Sequence, residues 1–146
     1  AGKILGQMMF AMAESAIILA IAVYGFGIKI ASGIPDLFIG LCVVSFSFIS
    51  LGLFITNYTK IQSTTILAGL LVVIPMIFIS GILIPVELMS DQIQATSSYQ
   101  PLTLGVGIAT ELVIKGTHIQ SLMPEIMQLL IPALIFFGFT VANRNL

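Results

Sequence analysis

The chain has 146 residues, 58% hydrophobic and only 8% charged, with a net charge of −1 and a mean hydropathy of +1.17. A soluble domain of this length needs a polar surface with roughly a quarter of its residues charged, so this composition excludes one and makes the chain an integral membrane protein. No basic stripe supports binding to a phosphate backbone, which excludes nucleic acid as a partner, and a lone Cys42 excludes an internal disulfide and any multi-cysteine metal centre.

The chain begins at Ala1 with no recognisable signal peptide, and the expectation is a fragment or a processed product. Taken in order, it reads as an all-α polytopic bundle of four transmembrane helices, at residues 4–28, 37–58, 64–84 and 122–142, in one transmembrane domain. The first, "ILGQMMFAMAESAIILAIAVYGFGI", is long enough to span with tilt and is flanked by Lys3 and Lys29. "KIASGIPD" follows, with Gly33 and Pro35 marking a tight turn. The second span carries Ser45, Ser47 and Ser50, whose hydroxyls can bond their own helix or a neighbour. Pro75 lies near the middle of the third, where it removes a backbone donor and favours a kink or carbonyls free to face a cavity. The fourth opens near Ser121, a candidate N-cap, tolerates Pro124 in its first turn and holds Pro132 inside.

Between the third and fourth spans, the stretch from Phe78 to Gly116 breaks this pattern. Gly81 and Pro85 close the apolar run, and Glu87, Ser90, Asp91 and Gln94 then place polar side chains away from a Val86, Met89 and Ile93 face, which predicts a short amphipathic helix. Ser97, Ser98 and Pro101 interrupt it. Apolar sequence resumes from Leu102 to Lys115, but a helix of that length reaches only about 21 Å, short of the ~30 Å hydrocarbon core. Residues 86–116 are therefore expected to form a re-entrant or extracellular helical hairpin, with Gly105 and Gly107 allowing a close approach of another backbone.

An apolar span, "SGILIPVELM", a short polar helix, "YQPLT", a second short helix ending in Gly and a final span resemble the C-terminal half of an ABC type-2 transporter permease. Phe78, Ser80, Gly81, Pro85, Pro101, Leu102 and Thr103 carry the resemblance, which covers roughly Gly2 to Leu146. Such permeases usually have six spans where four are counted here, and often a basic residue where this chain has Glu111. The resemblance implies an ATP-driven exporter: an ABC ATPase partner subunit that binds the ATP, a second permease subunit in a homo- or heterodimer, and no enzymatic step on this chain. It further implies a substrate pathway past Glu14, Pro75, Phe78 and Ser80, an external gate at Gly81, Pro85, Glu87, Pro101 and Glu111, and contact with the ATPase near Gly2 and Lys3.

The residues themselves carry little chemistry. No G-x-x-x-x-G-K-[ST] cradles a nucleotide, no G-x-S-x-G presents a nucleophile, and His118 lacks companion metal ligands and reads as a solvated loop residue. Glu14 has two readings: an intramembrane carboxylate facing a cavity, or a group near enough to the interface to reach water. Met8, Met9, Met12, Met76, Phe46, Phe48 and Phe78 read as core packing before they read as a lining for apolar cargo. Lys3, Lys60 and Arg144 fall on one side of the membrane and Lys29 and Lys115 on the other, which predicts cytoplasmic termini in a plasma-membrane protein. Two further readings are a structural subunit of a membrane complex and a proton-coupled carrier using Glu14.

Overall fold

The computed structural model describes residues 2–27, 29–59 and 61–143; Ile28, the expected end of the first span, and Lys60 and Arg144 of the charge tally lie outside them, as does the side chain of Lys3. The described residues form helices joined by short connections, with no strand among them. α1 (Gly2–Ala20) continues as a π-helical turn over Ile21–Gly25, and α2 follows at Ile34–Tyr58. α3 is Gln62–Ile79 and α4 is Asp91–Ser97. α5 (Pro101–Thr110) runs on as a π turn to Lys115, and α6 is Met123–Ala142, entered through a 3₁₀ turn at Ile119–Leu122. Among the described residues, four stretches are long and apolar enough to cross a bilayer: Leu5–Gly25, Ile34–Tyr58, Gln62–Ile79 and Ile119–Ala142.

The helix ends depart from expectation for local reasons. The third helix stops at Ile79 rather than near residue 84, because Gly81 takes φ 83° and turns the chain onto Val86, whose Cγ2 fills the space where a Cβ would sit. Pro35 is not part of the turn before α2 but lies in the first turn of that helix, where its missing N–H costs nothing; the turn is made by Gly33 at φ 95°. Ser121 does not cap α6. It lies inside the 3₁₀ turn, its amide donating to the His118 carbonyl at 2.9 Å. Val86, Met89 and Ile93 do not share one helix, since Val86–Leu88 is a separate 3₁₀ turn and α4 begins only after Ser90. α3 remains helical through Pro75, from Gln62 to Ile79.

The packing centre is α2 against α6. Asp36 meets the Ile119 amide at one end, Ser47 Oγ meets the Leu129 carbonyl at 3.3 Å in the middle, and the Phe54 and Phe136 rings meet at a tilt with centroids 4.8 Å apart at the other, so the two helices run parallel. Apolar burial adds little between helices already surrounded by lipid; close packing and the occasional hydrogen bond hold them. Ser47 also donates to Val43 at 3.1 Å and Ser50 to Phe46 at 2.8 Å, so the span's serines behave as membrane hydroxyls should.

α5 lies antiparallel on the same α2 face. Gly40 receives Leu112 and Ile108, while Gly105 lies against Val44, with 3.1 Å between its Cβ position and Val44 Cγ1. Gly105 thus takes the close approach expected of it, although from a side chain rather than a backbone; Gly107 faces open space. Leu37, Ile108, Leu112, Leu122 and Leu129 form the buried core of this three-helix contact. The methionines and phenylalanines do not gather there: Met9 and Phe78 are exposed, and Phe46 packs at the α6 seam on Phe137.

Gly116, at φ 70°, ends the α5 π turn with the Ala31 backbone only 3.1 Å from its Cβ position. Gly116→Ala combines a left-handed penalty of about 1–2 kcal/mol with that contact, whereas Gly107→Ala, in an exposed helical site, is neutral or stabilising. Thermal unfolding in detergent is expected to show a lowered midpoint for the first and not for the second.

Candidate functional site

A helix ends with four carbonyls that lack intrahelical donors, and in apolar surroundings water does not supply them. At the end of α3 the Met76 carbonyl accepts the Ser80 amide at 2.9 Å, and side chains from the following segment reach the carbonyls of Met76, Ile77 and Ile79. Gln100 Nε2 donates to the Met76 carbonyl at 2.5 Å, Ser80 Oγ to Ile77 at 2.8 Å, and Ser97 Oγ to Ile79 at 2.8 Å. Ser97 also lies 3.2 Å from Thr103 Oγ1, so the end of α4, the start of α5 and the end of α3 meet in one polar knot. Ser80 and Ser97 are almost fully buried in it. Pro101 opens α5 beside this knot and occupies the first helical turn.

Of the sequence-selected residues, Phe78, Ser80, Gly81 and Pro101 are thus brought together. Pro85 and Glu87 are exposed on the loop between α3 and α4, and Pro75 is exposed on α3. Glu14 stands apart, exposed on α1, which packs mainly on α2. Gly2 begins α1. The sequence marks Ser97 only as a helix breaker and Gln100 only as part of the YQPLT run; their hydrogen-bonding capacity directly before Pro-Leu-Thr is the available signal.

A second polar region joins the α1–α2 loop to the far end of α5. Ala31 and Ser32 donate their amides to the Val113 and Leu112 carbonyls at 3.3 and 3.2 Å, groups that the π turn leaves open. Asp36 Oδ2 lies 3.2 Å from His118 Nδ1 and accepts the Ile119 amide at 3.4 Å. His118 is therefore exposed as expected but is also paired, since the α2 start meets the connection into α6. Glu111 bonds Lys115 and, at 2.8 Å, Thr117 Oγ1. The Lys115 ammonium first, and the Thr117 hydroxyl after it, hold the Glu111 carboxyl below the ordinary carboxylate value. Beside it, Glu125 Oε2 is buried without a partner among the described residues, on a small cavity between α5 and α6.

Two further cavities lie along the helices. One of about 280 Å³ separates α1 from α2, and one of about 730 Å³ lies between α1, α2 and α3, where Gly6, Gly52 and Gly69 leave room. α3 has no buried residue: Leu67, Leu71 and Phe78 are 67%, 78% and 52% exposed, so this helix presents much apolar surface. Among the described residues no cluster of three His, Cys, Asp or Glu side chains could hold a metal ion.

Comparison with known proteins gives the arrangement a context. The model of the ABC-2 type transporter family matches residues 1–114, which reaches into the π turn of α5 and leaves α6 outside. ABC transporter G family member 20 of Dictyostelium discoideum is 26% identical over 115 residues, covering 79% of this chain and 16% of that protein. The chain therefore spans about a sixth of the length of that relative. No solved structure matches it.

Ser97→Ala removes the donor to Ile79 and leaves a buried carbonyl unpaired, at a cost of about 1–3 kcal/mol. Ser98→Ala, on an exposed side chain that bonds only Gln94 in its own helix, is the matched control. A drop in thermal midpoint confined to the Ser97 variant is the expected result.

Proposed function

The chain belongs to the ABC-2 type transporter family, and on that premise we propose that it supplies four spans of the permease of an ATP-driven exporter of amphiphilic or lipid-like cargo. ATP is bound and hydrolysed by a separate ABC ATPase subunit, docked at the Gly2 and Lys3 end of α1. A second permease subunit, identical or different, completes the pathway, and no residue of this chain breaks a bond.

The observation that carries this reading is the match over residues 1–114 on a chain whose third span buries none of its residues. An apolar helix tied at its C-terminal end by Gln100 and Ser97, joined near its start to the end of α2 through the Thr59–Thr65 hydroxyl contact, and largely uncovered between them, is suited to meet a second subunit and to line a path that opens and closes. In this reading residues 86–116 re-enter the membrane and cap the outer exit. Support comes from α5, which ends beside the start of α2 and begins alongside Val44, roughly 12 Å further along that helix by its rise. Pro75, Phe78 and Ser80 then sit where α3 meets the hairpin, and Gly81, Pro85, Glu87, Pro101 and Glu111 belong to the gate. Glu14 contributes to the pathway through the exposed side of α1.

Orientation follows the charge bias, with both ends of this segment cytoplasmic and the protein in the plasma membrane. The parallel course of α2 and α6 agrees with it, since Tyr58 and Ala142 then end on one side.

Two experiments test the proposal. Copurification in mild detergent is expected to bring down an ABC ATPase whose turnover rises with an amphiphilic cargo; a transporter without such a subunit overturns the exporter reading. In a background with Cys42→Ser, cysteines at Gln94 and Gln120 are expected to react with an impermeant external thiol reagent, and one at Gln62 is not. The opposite pattern inverts the topology.

A further inference from the structure

The cavity between α1 and α2 is an elongated groove built from one face of each helix. On α1 the small residues Ser15, Ala16 and Ala20 recur at helical spacing, and on α2 they face Phe38, Leu41 and Cys42. Where large side chains would close the seam, these small ones leave about 280 Å³ of almost wholly apolar space. Ile30, on the connecting loop, closes the groove at one end together with Tyr24 from the π turn.

Its length matches one leaflet of a bilayer. The α1 wall runs from Met12 to Tyr24 and the α2 wall from Ile34 to Ser45, which by helix rise is about 16–18 Å, against the ~15 Å of half a hydrocarbon core. The loop end of the groove therefore lies at the interface when its other end lies near the midplane.

The charges at that end distinguish the groove from an ordinary lipid-facing seam. Asp36 is engaged by His118 and the Ile119 amide, and Lys115 is engaged by Glu111. Lys29 is exposed on the loop next to Ile30 and takes part in neither of the salt bridges found among the described residues. The loop that closes this apolar slot thus carries, one residue before Ile30, an ammonium with no ion pair among the described residues, and the slot's wall carries the phenol of Tyr24, 89% exposed. A cation beside an apolar slot is the complement of an anionic headgroup carrying an acyl chain, in the external leaflet by the orientation proposed above.

We infer that the α1–α2 groove is a binding site for one acyl chain of an anionic phospholipid, whose phosphate is held at the Lys29 and Tyr24 end. The small residues set the width of the slot, and the loop cation selects the headgroup. The site lies on the opposite face of α2's start from the Asp36–His118 contact and does not depend on the transported cargo.

The test uses the assembled transporter in phosphatidylcholine vesicles containing a small fraction of phosphatidylglycerol with a photoactivatable diazirine in mid-chain. A phosphatidylcholine carrying the same tail serves as comparison. Cross-links are expected on the groove faces of α1 and α2, with the anionic probe favoured about fivefold, as expected for one basic residue at a membrane surface. Lys29→Gln is expected to equalise the two probes. Ala16→Phe is expected to drive label out of the groove with unchanged elution and thermal midpoint. If that variant does not fold, the exposed-loop variant Lys29→Gln still decides headgroup selection, and the cross-link map of the unaltered chain decides occupancy. Equal yields from both probes, spread over the exposed faces of α3 and α6, overturn the proposal, as does a groove that cross-links to another polypeptide. Because ATP turnover is not read, failure of the exporter reading leaves this result standing.

Discussion

The arrangement depends on one constraint: backbone carbonyls at the end of an apolar helix need donors that a bilayer does not provide. α3 meets it by ending against its own successor, so that Gln100 and Ser97 reach back to Met76 and Ile79. The order of the chain around residues 97–103 follows from this. A serine closes α4, a glutamine precedes the proline that opens α5, and a threonine one turn in stands beside the serine. Once those bonds are made, the start of α5 is tied to the end of α3, and the direction of α5 along α2 is set.

From that tie the rest of the packing follows by geometry. α5 must leave the knot and bring Leu112 onto Gly40, and only a residue without a side chain at position 40 admits it. The α1–α2 loop then finds two open carbonyls at Leu112 and Val113, which the π turn has left without helical donors. Asp36, at the start of α2, takes up the amide of Ile119 and so fixes where the last span begins. Each connection satisfies polar groups that the preceding helix end leaves open.

What remains uncovered is as informative as what is packed. α2 and α6 share a seam of serines and aromatics, yet α3 buries none of its residues and α1 contributes mainly groove walls. In a membrane such surfaces carry no penalty against lipid, so stability does not oblige them to be covered. They are available to partner subunits or lipid, and the family to which the chain belongs uses membrane helices for transport. The tightly bonded connections contrast with the uncovered faces of α1 and α3.

Sequence alone established the membrane class, the four spans and the shortness of residues 102–115, because hydropathy and helix rise are properties of local composition and the bilayer sets the scale against which they are read. It also marked Gly81, Pro101 and Glu111, since glycine, proline and an isolated charge stand out in apolar sequence. The partner of each hydroxyl and amide could not be read that way. Ser97 and Ser98 are the same residue type side by side, yet one caps α3 across the chain and the other bonds its own helix. Likewise His118 found Asp36 across 82 positions. The sequence pattern decided which segments enter the membrane; only the tertiary structure decided which polar groups meet, because those pairings depend on where helix ends fall in space and not on how their neighbours are spaced along the chain.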